Sequence, residues 1–169
     1  MIGFSEGFHD AAIAVVHKNT ISYAAHSERY SKRKHDKRLD LSAVTMARGM
    51  NIFDDIVAFY ENPILKRSRQ LYAGQKAWRK NRELSLQPNR WFDHHKSHAA
   101  AAFQTSTFSR AACVVVDSIG EWDCSSIWVA DIKNGIAVYD KKWSRRYPKS
   151  IGLWYSALTK WAGLKPLDE

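Results

Sequence analysis

The stretch Asp93-His94-His95-Lys96-Ser97-His98-Ala99-Ala100-Ala101-Ala102-Phe103 places three of the chain's seven histidines ahead of an alanine run. Alanine is the strongest helix former, so the run predicts a helix, and Asp93 has the side chain to cap its start. On that helix His94 and His98 lie one turn apart on one face, their Cβ atoms about 5 to 6 Å from each other. Two imidazoles so placed can share a divalent transition metal, which takes nitrogen and carboxylate ligands at about 2.0 to 2.2 Å. The carboxylate such a site still needs has a candidate in Asp117, at the end of the apolar run Ala111-Ala112-Cys113-Val114-Val115-Val116. The same spacing also suits histidines that cap the helix or pack beneath it, and spacing alone leaves both readings open.

Composition narrows the classes. With 45% hydrophobic and 25% charged residues, the 169-residue chain has the make-up of a globular domain able to bury its own core. No apolar run reaches the roughly 18 residues that would span a bilayer. The start, Met1-Ile2-Gly3-Phe4-Ser5-Glu6, lacks the basic-then-apolar layout of a secretory signal, so a cytoplasmic location and no membrane partner are expected. Cys113 and Cys124 are too few and too unpatterned for a disulfide framework or a zinc ribbon. The formal charge of +9 raises nucleic acid as a partner, since clustered Lys and Arg gain affinity for phosphate by releasing counterions. Most of the excess lies in Lys32-Arg33-Lys34-His35-Asp36-Lys37-Arg38 and between Lys66 and Arg90. The second segment, interleaved with Leu65, Leu71, Tyr72, Trp78 and Leu84, reads as an amphipathic helix with a solvated basic face.

In chain order, three short strands come first: Ile2 to Ser5, Ala11 to Val16 and Ile21 to Ala25, the first pair separated by Glu6-Gly7-Phe8-His9-Asp10. Leu41 to Met50 has helical spacing (Leu41, Val44, Thr45, Ala47) with Gly49 or Asn51 as terminators. Ile56 to Tyr60 is a buried-type strand. A basic helical region follows from Leu65, weakened at Gly74 and ended at Pro88-Asn89, and Arg90-Trp91-Phe92 forms a short strand. After Asp117, Ser125 to Ala130 pairs with Ile136 to Tyr139 across Lys133-Asn134-Gly135, where Asn-Gly is a strong hairpin signal. Ile151, Trp154, Tyr155, Leu158, Trp161 and Ala162 mark a last helix between a Ser150 cap and a Gly163 stop. Its aromatic stripe reads as core.

Several of these stretches together resemble the O-carbamoyltransferases of the nodulation-factor, cephamycin and aminoglycoside type, whose amino-terminal domain is similar to the threonylcarbamoyl-transfer proteins of tRNA modification. The family pattern H-H-x-S-H-A-A-x-A-F stands here as His94 to Phe103. Its D-G-x-G-E stands as Asp117-Ser118-Ile119-Gly120-Glu121, with serine in place of the usual glycine at 118. Phe8-His9-Asp10 resembles F-H-D, Glu28-Arg29-Tyr30-Ser31-Lys32-Arg33-Lys34-His35 resembles E-R-F-T-R-K-K-H, and Ser150 to Gly163 resembles S-x-G-x-x-Y-S-A-x-T-x-x-x-G.

The resemblance implies a fold and a chemistry. The fold is α/β, actin-like or ribonuclease-H-like (the ASKHA class), a mixed sheet with flanking helices. The first lobe would occupy residues 1–110; residues 111–169 would begin an incomplete second lobe. The activity is transfer of a carbamoyl group from carbamoyl-adenylate to a hydroxyl. His94, His98 and Asp117 would hold a metal, iron or zinc with manganese as the further candidate. His9 would be the general base, and Lys34, Ser118, Gly120, Glu121, Ser150 and Gly152 would line the site for ATP or carbamoyl-adenylate. Implied partners are a small-molecule hydroxyl acceptor, a nucleotide among the candidates, a carboxy-terminal half or subunit with a YrdC-like domain, and a second copy in a homodimer. Within the same superfamily, His95, Ser97 and the Ser150-to-Gly163 pattern favour the O-carbamoyl branch over threonylcarbamoyl transfer. Two other classes compete: a non-catalytic docking subunit or fragment of a split enzyme, and a basic ribonuclease-H-like module that binds nucleic acid.

Overall fold

The computed structural model describes residues 1–50, 55–79 and 86–166. The chain divides into two compact units, Met1–Phe92 and Asp93–Glu169. Among the described residues no helix is long and apolar enough to cross a membrane.

The first unit is built on a five-stranded sheet. Strands β1 (Ile2–Ser5), β2 (Ala12–His17) and β3 (Thr20–His26) run antiparallel, while β4 (Val57–Phe59) runs parallel to β1 and β5 (Arg90–Trp91) parallel to β4. The spatial order is β3-β2-β1-β4-β5. Period-two alternation turns Ile2, Phe4, Ile13 and Val15 to one face, where they pack with Phe59, Leu39, Trp78 and Leu86. A short helix α1 (Glu28–Ser31) follows β3, and α2 (Leu41–Met50) lays Ala43, Val44 and Ala47 on that core. Leu41 and Thr45, which share the helical spacing of Val44 and Ala47, face outwards. Gly49 lies inside α2; Asn51, the other expected terminator, lies outside the described residues.

The segment after β4 departs most from its sequence pattern. Helix α3 (Pro63–Tyr72) starts earlier than Leu65, because the Asn62 side chain accepts from the Ile64 and Leu65 N–H groups and Pro63 needs no partner in the first turn. It ends at Tyr72, and Gly74 turns the chain at φ 67° rather than weakening a longer helix. The inward face is also inverted. Lys66 and Gln70 are buried, whereas Leu71 and Tyr72 are 65% and 67% exposed. A charge can be buried here because it is matched: the Lys66 ammonium donates to Glu61 and to the Tyr60 hydroxyl, and Arg69 lies 3.5 Å from Glu61. Trp78 is core, and Leu84 lies outside the described residues.

The second unit opens with helix α4 (His94–Gln104). Asp93 caps it by accepting from the Lys96 N–H, and its other oxygen is held by Lys141 at 2.7 Å. A three-stranded antiparallel sheet follows: β6 (Arg110–Gly120), β7 (Asp123–Lys133) and β8 (Ile136–Arg146), in that order. Asn134 and Gly135, both at positive φ, form the turn between β7 and β8. The i, i+4, i+8 set His95, Ala99 and Phe103 is the buried stripe of α4, and Ala99 and Phe103 pack on Cys113, Val115, Trp128 and Ala130. Both cysteines are free and buried, which pushes their thiol pKa values up.

Helix α5 (Ile151–Trp161) closes the described chain, with Ser150 as its cap. Its aromatic stripe is not core in this unit: Trp154, Tyr155 and Trp161 are all exposed. The start of the helix is pinned by its cap. The Ser150 hydroxyl accepts from Leu153 N–H and donates to the Ser118 carbonyl at 2.6 Å.

Candidate functional site

In the second unit, the stripe beside the buried one on α4 carries His94 and His98. Their Nε2 atoms face each other at 3.0 Å, and His94 Nε2 lies 3.1 Å from Asp117 Oδ2. Ligand atoms of all three residues fall within 4.8 Å of one another. Two donors each about 2.0 to 2.2 Å from one ion are themselves about 3 Å apart when they subtend an angle near 90°. The two short edges of this triangle therefore suit a shared cation, and the donor set of two imidazoles and a carboxylate suits a transition metal.

The strand brings the carboxylate there by two devices. Asp117 continues the odd-numbered face of β6 that turns Cys113 and Val115 towards α4. The register of β6 against β7 then shifts between Val116 and Gly120, and such a bulge re-aims side chains at the end of a ladder. The Asp117 Oδ1 atom accepts from the Ser118 N–H at 2.6 Å, which fixes the rotamer and leaves Oδ2 to the histidines. Burial works to raise the Asp117 pKa, but the hydrogen bond and charge of His94, the Ser118 N–H and the charge of His98 outweigh it, so its carboxyl is held down at about 2. His98, the most exposed of the three, has its pKa lowered by desolvation and then by His94. Both shifts favour the unprotonated forms that bind metals.

Residues of the D-x-x-G-E and S-x-G stretches surround this triangle. Ser118 has strand geometry, so a side chain is tolerated where the family pattern has glycine. Gly120 is different: a Cβ there would overlap the rings of both His94 and His95. Gly152 likewise lies against the Asp117–Ser118 backbone, where a Cβ would come within 2.8 Å of the Asp117 carbonyl. Glu121 takes the left-handed conformation at φ 60° in the turn after β6. Ser150 joins the start of α5 to Ser118.

His9 and Lys34 belong to the first unit. His9 sits in the turn between β1 and β2, where its Nδ1 is 2.7 Å from Asp10 Oδ2; the other oxygen, Oδ1, is 3.3 Å from His35 Nδ1. The hydrogen bond from His9 comes first among the causes that lower the Asp10 pKa, with burial opposing and His35 adding to the effect. Asp10 and His35 both stand at φ 55°, a left-handed conformation uncommon outside glycine. The turn is clamped from outside: Gly7 N–H donates to Lys37 O, Ala11 N–H to Asp36 O, and Gln70 Nε2 to Gly7 O. Trp78 fills the space over Gly7. Lys34 is exposed in the turn leading to His35.

Two residues in these surroundings, His35 and Ser126, have no site role in the sequence reading, and His95 enters it only as part of the family motif. His35 had a signal, since it closes the basic run that resembles the family's motif, but only folding brings it to Asp10 across 25 residues. Ser126, which meets His95 at 2.7 Å inside the second unit, had none beyond lying in an expected strand.

A family model described as carbamoyltransferase N-terminus matches residues 57–168. A protein of Synechocystis sp. (strain ATCC 27184 / PCC 6803 / Kazusa), described as uncharacterized, is 29% identical over 201 aligned residues. The match covers 98% of this chain and 32% of that protein. The chain therefore spans about a third of that relative's length.

Proposed function

The chain belongs to the carbamoyltransferase family through its amino-terminal domain, and from that premise we propose that it serves transfer of a carbamoyl group from carbamoyl-adenylate to an acceptor hydroxyl. The observation that carries this reading is the convergence of His94, His98 and Asp117 inside the family-matched segment. These three would hold a divalent transition metal, iron or zinc foremost. Bound there, the ion would supply Lewis acidity to an oxygen of the donor.

The chain's own residues account for the rest. Asp10 accepts the Nδ1 proton of His9 and so leaves Nε2 bare, the arrangement a general base needs. His9 Nε2 would take the acceptor's hydroxyl proton as its oxygen bonds to the carbamoyl carbon. The bond from that carbon to the phosphate oxygen breaks, and AMP leaves with the electron pair. The products are an O-carbamate and AMP. Lys34, exposed beside this turn, offers an ammonium charge for a phosphate; Ser150 caps the helix start at which Gly152 would present its amide to the same kind of group. The strand order β3-β2-β1-β4-β5, with three antiparallel strands followed by two parallel ones, supports the ribonuclease-H-like half of an actin-like fold. An adjoining YrdC-like part would furnish the carbamoyl-adenylate.

Cobalt(II) titration followed by visible absorbance tests the reading directly. One equivalent is expected to bind with the spectrum of nitrogen and oxygen ligation, and His98→Ala is expected to abolish it. A wild-type chain that takes up no cobalt, zinc or ferrous ion would sink the proposal.

A further inference from the structure

Beside the three converging ligands, His95 is buried inside the unit. It is 0% exposed, although a helix surface facing a strand end could have offered it solvent. Its Nδ1 lies 2.7 Å from Ser126 Oγ, and the same oxygen accepts from Trp128 Nε1–H at 2.8 Å. Ser126 is also 0% exposed and Trp128 is buried. An indole N–H can only donate, so the Ser126 hydroxyl hydrogen is left to find its own acceptor. Among the described residues His95 Nδ1 is the acceptor in reach, and a buried hydroxyl does not forgo one without cost.

If Nδ1 accepts, a neutral His95 carries its proton on Nε2. That atom is buried and has no hydrogen-bond partner among the described residues. It lies 4.0 Å from Asp117 Oδ2, beyond hydrogen-bond length but aimed at the one carboxylate oxygen that the Ser118 N–H does not hold. The Gly120 backbone closes over the same ring, at a distance where a Cβ would stand 2.7 Å from His95 Cδ2. Swinging the ring away is therefore blocked by the strand above and by the Ser126 anchor below.

We infer that His95 is a positioning residue: Trp128 and Ser126 lock it as the Nε2–H tautomer, and that buried N–H restrains Asp117 Oδ2 in the orientation that meets His94. It acts through Asp117 and is itself no ligand, since its Nδ1 is engaged and its Nε2 is protonated. Outer partners of this kind commonly contribute 10- to 100-fold to the affinity of the site they orient. The inference rests on the proposed metal-holding role of Asp117 for its second half and on the hydrogen-bonded string alone for its first.

The two halves are tested separately. Long-range proton–nitrogen correlation spectra of the chain labelled with nitrogen-15 histidine, with the seven rings assigned through their side-chain carbons, report each tautomer at pH 7.5 without any metal. His95 is expected to show a protonated Nε2 and a bare Nδ1; the opposite tautomer would overturn the inference whether or not a metal binds. Cobalt(II) affinity is then compared between the wild type and Ser126→Ala, with near-ultraviolet circular dichroism to check packing. A loss of about tenfold is expected, accompanied by averaging of the His95 tautomer signal. An unchanged affinity in a folded Ser126→Ala would overturn the positioning role even with the tautomer as expected. A wild type with that tautomer that binds no cobalt would instead overturn the metal reading, while supporting the string as the lock on His95.

Discussion

Two clusters in this chain have the same composition, two histidines and one aspartate, and opposite geometry. In the turn after β1, Asp10 stands between its partners, one oxygen on each Nδ1. In the second unit the partners converge: two Nε2 atoms at 3.0 Å and a carboxylate oxygen at 3.1 Å from one of them. The first arrangement uses the carboxylate to consume the Nδ1 protons and so fixes which nitrogen is basic. The second leaves lone pairs pointing at a common place, which is what a cation requires. Residue identity is therefore insufficient to tell an orienting carboxylate from a ligating one; the side of the imidazole it meets decides.

Substitutions that exchange the roles should break this contrast. The largest effect is expected for Asp117→Asn or His94→Ala, each lowering cobalt(II) affinity by about 100-fold or more, while Asp10→Asn changes it less than twofold; isothermal titration checks both. In an assay of AMP release from carbamoyl-adenylate, His9→Ala should slow transfer by roughly 10²- to 10⁴-fold. Asp10→Asn should slow it less, with metal content unchanged. Gly120→Ala pushes a methyl into both His94 and His95, so urea unfolding should show a loss of about 1 to 3 kcal/mol together with weaker metal binding. The smallest effect concerns acid stability. The Asp117 carboxyl is depressed from 3.8 to about 2, so its contribution is full above pH 3.8 and is lost as pH falls through 2. Asp117→Asn should flatten that part of the stability curve, and Asp10→Asn, whose pKa is lowered in the same direction, should flatten it less.

The elements around the sites were legible because local rules set them. Asp93, Ser150 and Asn62 cap the helices that follow them, and Asn134-Gly135 makes its turn. Legibility failed where burial was decided by partners distant in sequence. A basic helix with Lys66 and Arg69 reads as solvated, yet Glu61 and Tyr60 carry Lys66 inside. The stripe of α5 reads as core, yet in this unit its aromatics are exposed. Hydrophobic periodicity predicts which face is apolar; it does not say what covers that face.

What the amino-acid sequence determined by itself is the pairing of His94 with His98, since helical rise and a four-residue step leave two rings no other relation than neighbours on one face. Only the tertiary structure decided what they meet. The pairing of β6 with its neighbours brings Asp117 to them, the Ser126–Trp128 pair anchors His95 beside them, and His35 reaches Asp10 from the far end of a basic loop. Each of these is a contact between segments joined only by the packed core, where burial and hydrogen-bond satisfaction, rather than local propensity, fix the direction of a polar side chain.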